Sequence, residues 1–91
     1  MSIELRPTIE GDYIELREAA ITSRYPNGVR YLDRVCVPTL LSIVKRNPTI
    51  GEIILAYLGH SDGENCPPEA VRQVLARCYQ EGLLIEAPSP V

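Results

Sequence analysis

The chain contains neither Trp nor Phe, and its only aromatics are five Tyr among 91 residues. Its core must therefore be built from Leu, Ile, Val and Ala, which suffices for one small core and excludes a second domain of ordinary size or a deep active-site cavity. A single His, His60, leaves no Cys–His or Ser–His–Asp arrangement to be read, and no Walker or GxGxxG pattern occurs. Three cysteines, Cys36, Cys66 and Cys78, are odd in number and lack CxxC spacing, which argues against a disulfide framework or a closed zinc site. His60, Asp62, Glu64 and Cys66 lie close in sequence, but nothing fixes four ligands there, so a solvated loop is expected. No apolar run exceeds Ile53 to Leu58, far short of the roughly 20 residues of a membrane span, and the first residues lack the basic and apolar blocks of a signal peptide. A cytoplasmic location without membrane contact is expected.

Net charge is −3, with a pI near 5.0, a balance that disfavours general binding to nucleic acid. The distribution is uneven. Residues 1–20 and 47–91 are acidic, whereas residues 21–46 hold Arg24, Arg30, Arg34, Lys45 and Arg46 against Asp33 alone. Such a basic middle is either a solvated, internally paired face or a surface for an acidic partner.

The first third reads as strands. Ile3 and Leu5 alternate with polar residues before Pro7, Tyr13, Ile14 and Leu16 lie among charges, and Ile21–Tyr25 leads through Pro26-Asn27-Gly28 to Val29–Asp33. A two-residue Asn27-Gly28 loop would place Pro26 where the ladder wants an N–H. A three-residue loop is preferred, with Pro26 at the first central position and Gly28 left-handed. In that register Ile21, Tyr25, Val29 and Tyr31 share one face, and Thr22, Arg24, Arg30 and Leu32 share the other.

After Asp33 the period becomes helical. Pro38 opens a helix over about 38–46, followed by Lys45, Arg46 and the stop Pro48. Thr49-Ile50-Gly51-Glu52 forms a capping box that starts a second helix ending at Gly59. Pro67-Pro68-Glu69 opens a third, with Val71, Val74, Leu75, Cys78 and Tyr79 on its apolar stripe and Gly82 as its end. Cys78 is expected in the core. The expected fold is α+β: an N-terminal β-hairpin or three-stranded antiparallel sheet followed by three short helices, winged-helix-like, over residues 1–86, with a Pro-rich extended tail at 87–91.

The hairpin Ile21 to Asp33, the helix ending in Lys45-Arg46-Asn47-Pro48, the Thr49-Ile50-Gly51-Glu52-Ile53 start and the closing Gln80-Glu81-Gly82-Leu83-Leu84 together resemble the PqqD-like domains, the recognition elements for ribosomally made precursor peptides. The resemblance implies a non-catalytic module without cofactor. It would bind a precursor leader peptide by adding it as a strand to an edge of the sheet and present it to a modifying enzyme, often a radical SAM enzyme. Carried onto this chain, the edge strand is Val29, Arg30, Tyr31, Leu32 and Asp33, and the facing helix positions are drawn from Arg72, Leu75, Ala76 and Tyr79.

Strand addition takes affinity from main-chain hydrogen bonds and specificity from side-chain pockets, and Arg30 with Arg24 beside it would suit an acidic peptide. The same arginines would also serve to protect an edge from aggregation. A monomer or weak homodimer is expected of a peptide binder, and a stable oligomer of a structural subunit. The runner-up function is a winged-helix DNA-binding regulator. Its third helix would be uncharged on balance, with Arg72 and Arg77 against Glu69 and Glu81, where phosphate contacts want an excess of cations.

Overall fold

The computed structural model describes residues 5–46 and 48–88. The fold is mixed α+β, with five helices and two small antiparallel sheets among the described residues. In chain order the elements are α1 (Pro7–Glu10), β1 (Tyr13–Leu16), α2 (Glu18–Arg24), β2 (Tyr31–Leu32), β3 (Val35–Cys36), α3 (Val37–Val44), α4 (Ile50–Leu58), a 3-10 turn at Ser61–Gly63, α5 (Pro68–Gln80) and β4 (Leu84–Ala87).

The two sheets are separate ribbons rather than one three-stranded sheet: β1 pairs with β4, from Tyr13 opposite Ala87 to Leu16 opposite Leu84, and β2 pairs with β3. The outer edge of β1 is occupied by the segment before α4. The Ile14 N–H donates to the Pro48 carbonyl at 3.1 Å, and Tyr13 bridges to Thr49. One core joins these parts, with Ile9, Ile14, Leu40, Ile53, Tyr57 and Leu75 all essentially inaccessible. Tyr57 is thus the buried aromatic of a chain otherwise packed with aliphatic side chains.

The last three helices follow their local signals. α3 opens with Pro38 in its first turn, where a missing N–H costs nothing. α4 carries the capping box in full: the Glu52 N–H donates to Thr49 Oγ1 at 3.2 Å, and the Thr49 N–H donates to Glu52 Oε2 at 3.1 Å. α5 ends in a Schellman motif, with Gly82 at φ 76°, its N–H donating to Tyr79 and that of Leu83 to the Cys78 carbonyl.

The N-terminal third departs from expectation. Ile21–Tyr25 is not a strand, because residues 18–24 are helical. Glu18, Ala19 and Ala20 are good helix formers, and Glu18 in the first turn and Arg24 in the last complement the helix dipole. Ile21 and Tyr25 satisfy a spacing of four as readily as an alternation. The Pro26-Asn27-Gly28 turn does form, the Gly28 N–H donating to the Tyr25 carbonyl at 2.9 Å with Gly28 at φ 81°, but it joins a helix to a strand. The hairpin tip is Asp33-Arg34 instead.

Of the expected first strand, residues 1–4 lie outside the described residues, and Pro7–Glu10 is a helical turn. Ala87, assigned to the tail, closes β4. Pro88 follows as exposed coil, and 89–91, like Asn47, lie outside the described residues. The loop after α4 is only partly solvated, since Gly63 is buried against Tyr57. Among the described residues no helix is long and apolar enough to cross a membrane.

Candidate functional site

The site begins with the geometry of a two-residue ladder. Asp33 takes φ 54°, a left-handed conformation that Asp tolerates better than most residues, and this turns β2 back onto β3. The Val37 N–H donates to the Arg30 carbonyl at 2.8 Å, whereas the Cys36 N–H points the other way, to the Tyr57 hydroxyl at 2.7 Å. Antiparallel pairs alternate between bonded and non-bonded. Arg30 opposite Val37 is a bonded pair, so Tyr31 opposite Cys36 is not, and the main-chain N–H and C=O of Tyr31 point away from β3.

The side chains follow the same division. Val35 and Cys36 are buried, Val29 and Leu32 are half-buried, and Arg30 and Asp33 are exposed. Tyr31 is 56% exposed. Two cations of the basic segment are held by carboxylates, Arg24 by Glu81 at 3.0 Å and Lys45 by Glu18 at 3.1 Å. Arg30 and Arg34 have no carboxylate partner among the described residues.

The hairpin tip stands beside the first turns of α5, and the trough between them, about 310 Å³, is lined by Asp33, Arg34, Pro67, Glu69, Ala70 and Gln73. This is not the flank expected from sequence. With the helical period, Val71, Val74, Leu75 and Cys78 form the buried arc, Ala70 and Gln73 border it on one side, and Arg72 and Tyr79 border it on the other. Leu75 and Ala76 are fully enclosed.

Arg72 is ion-paired with Glu10. Tyr79 accepts a hydrogen bond from Arg6, whose guanidinium lies 5.3 Å from the ring centroid and also reaches Glu86 at 2.5 Å. The structure thus brings Asp33 and Arg34, at the hairpin tip, together with Glu69, Ala70 and Gln73, and leaves Arg72, Leu75, Ala76 and Tyr79 in the core or on the far flank. Helical periodicity could have offered Ala70 and Gln73 as one flank, but not the choice of flank, which depends on where the hairpin lies.

Other groups that could carry chemistry are held differently. All three cysteines are free thiols and buried. Burial pushes the Cys66 thiol up and the Cys78 thiol up to about 11, so both are protonated at neutral pH and poorly nucleophilic. Thr39 Oγ1 donates to Asp62 Oδ2 at 2.6 Å, and the Asp62 N–H donates to His60 Nδ1 at 3.1 Å, which fixes the loop after α4. No group of three His, Cys, Asp or Glu side chains among the described residues could hold a metal.

The larger cavities lie elsewhere. One of about 560 Å³ between α3 and α4 is lined by Tyr13, Ser42, Ile43, Arg46, Pro48, Glu52, Ala56 and His60. Another of about 410 Å³ separates α2 from α3. Ser42 and His60 share the wall of the first without a hydrogen bond between them, and His60 Nδ1 is taken by the Asp62 N–H. No family model, no curated protein and no solved structure matches the chain.

Proposed function

We propose that this chain is a non-catalytic peptide-recognition module that binds the leader of a ribosomally made precursor by strand addition to the outer edge of β2. The observation that carries the reading is the orientation of Tyr31: its main-chain donor and acceptor face away from β3, on a strand whose register is fixed from behind by the bond between Cys36 and Tyr57. A peptide strand laid there gains main-chain hydrogen bonds and makes the ribbon three-stranded. Its alternate side chains meet the Tyr31 ring and the trough lined by Arg34 and Ala70. Arg30 and Arg34, without carboxylate partners among the described residues, favour acidic residues in that peptide.

In this reading α3, α4 and α5 with the β1–β4 ribbon form a winged-helix-like body that carries the hairpin. The module works in the cytoplasm without a cofactor and delivers the peptide to a modifying enzyme, such as a radical SAM enzyme, consistent with the resemblance to PqqD-like domains. A DNA-binding role is less well supported. The Arg72 cation on α5 is neutralised by Glu10 and approached by Glu69, so the helix offers phosphate little net charge.

The test is titration of a labelled acidic leader peptide, encoded beside the gene, into the purified protein, with duplex DNA in parallel. Saturable micromolar binding of the peptide alone supports the module. Binding of DNA alone overturns it.

A further inference from the structure

One cavity has no part in recognition at β2, and it holds two opposite charges that do not meet. The space of about 560 Å³ between α3 and α4 is lined by both Arg46 and Glu52. No ion pair joins them, and Arg46 has no carboxylate partner among the described residues. The local structure explains the separation. Arg46 sits just past the end of α3, its N–H donating to the Ile43 carbonyl at 3.3 Å, and Pro48 beyond it is held to β1 by the Ile14 N–H. Glu52 is drawn back to the start of its own helix, where Oε2 accepts the Thr49 N–H at 3.1 Å. Its second carboxylate oxygen is left unused.

The rest of the wall supplies donors and apolar surface. His60 lies beyond α4 in an extended conformation, φ −86° and ψ 153°, and its Nδ1 accepts the Asp62 N–H at 3.1 Å. In the neutral ring the proton is then on Nε2, so the remaining nitrogen is a donor. Asp62 is itself held by Thr39 Oγ1 at 2.6 Å, which keeps the His60 loop in place. The exposed Ser42 hydroxyl is a second neutral donor, and Ile43, Pro48 and Ala56 complete the wall with apolar groups. Apolar surface with a few placed polar groups is the usual make-up of a small-molecule site, and this cavity falls in the usual size range.

Charge selects the occupant. An anion alone answers Arg46 but faces the Glu52 carboxylate, and a cation alone meets the reverse. A molecule that carries both charges on an apolar body answers both. We propose that this cavity binds a free α-amino acid with a large apolar side chain. Its carboxylate takes Arg46 and the neutral donors Ser42 and His60, its ammonium donates to the unused oxygen of Glu52, and its side chain covers Ile43, Pro48 and Ala56. The site is open to solvent and the ligand small, so affinity is roughly millimolar. Occupancy leaves the outer edge of β2 free.

The test is NMR titration of the purified, isotope-labelled chain with L-phenylalanine at constant pH and ionic strength. Hydrocinnamate, which lacks the ammonium, and phenethylamine, which lacks the carboxylate, are run in parallel. The expected result is saturable shifts centred on Ser42, Ile43, Arg46 and Ala56 with L-phenylalanine, and binding weaker by roughly tenfold or more for either analogue. Arg46→Gln and Glu52→Gln should each weaken L-phenylalanine by a similar factor. Both positions are exposed, and Gln at 52 preserves the capping box, so both variants fold, as circular dichroism will confirm. The absence of saturable shifts at tens of millimolar, an analogue that binds as tightly as L-phenylalanine, or variants that bind like the wild type overturns the proposal.

Discussion

The Tyr57 hydroxyl accepts the backbone N–H of Cys36 at 2.7 Å, and that bond ties the buried strand of the hairpin to the last turn of α4. Because the Cys36 N–H is turned inward, its ladder partner Tyr31 presents its own N–H and C=O outward. A single phenol therefore connects the centre of the core to the edge on which the proposed function depends.

Tyr57→Phe keeps the ring and removes the acceptor, leaving the Cys36 N–H buried without its partner. A loss of about 1–3 kcal/mol is expected, lowering the thermal midpoint by about 4–8 °C for each kcal/mol in a domain of this size. Thermal and urea denaturation measure it. An unchanged midpoint would mean that the hairpin does not depend on this bond.

Gly63→Ala tests the packing behind the same tyrosine. A Cβ at position 63 would overlap the Tyr57 main-chain carbonyl, and backbone cannot yield as a flexible side chain does. Destabilisation of more than about 3 kcal/mol is expected, read as loss of the cooperative unfolding transition. Wild-type stability in this variant would show that the 3-10 turn does not pack closely on α4.

Alkaline pH should weaken the fold through Cys78. Burial raises its thiol from 9.0 to about 11, so the native state holds the proton that the unfolded chain releases. The stabilisation is complete below about pH 9 and is lost as pH rises towards 11, by about 1.4 kcal/mol per pH unit in that window. Urea unfolding at pH 8 to 11 would follow it, and Cys78→Ala should flatten this part of the profile. A slope unchanged in the variant would assign the loss to another group, such as Tyr57, whose hydroxyl burial also pushes up.

Much of the helical half was legible because its signals are short-range. Thr49 and Glu52 lie three residues apart and satisfy each other's backbone; Gly82 needs only its own positive φ to end α5. The first third was less legible because Ile21 and Tyr25 suit two periods, and the deciding residues were Glu18, Ala19 and Ala20. The pairing of β1 with β4 joins ends of the chain that no local pattern links. Near the candidate site, Tyr31 and Leu32 could be named as a strand, but neither their partner strand Val35–Cys36 nor the helix flank beside the tip could. Arg72 and Tyr79 look like good recognition residues until Glu10 and Arg6 are seen to hold them.

Charge reversal separates recognition from general attraction. Arg30→Glu should weaken binding of an acidic leader peptide by about 1–3 kcal/mol, the range for a charge-assisted hydrogen bond. Arg46→Glu changes the net charge equally but lies at the cavity between α3 and α4, and should leave affinity nearly unchanged. Isothermal titration of both variants decides it. Equal losses would reduce the role of Arg30 to long-range attraction.

The most direct test of the central claim is amide hydrogen exchange followed by NMR, with and without saturating leader peptide. Addition of a peptide strand to β2 predicts that the Tyr31 N–H, which faces outward in the free protein, becomes strongly protected on binding, with smaller changes at Ala70 and Gln73. A peptide that binds while the Tyr31 amide exchanges as fast as before would contradict strand addition at this edge.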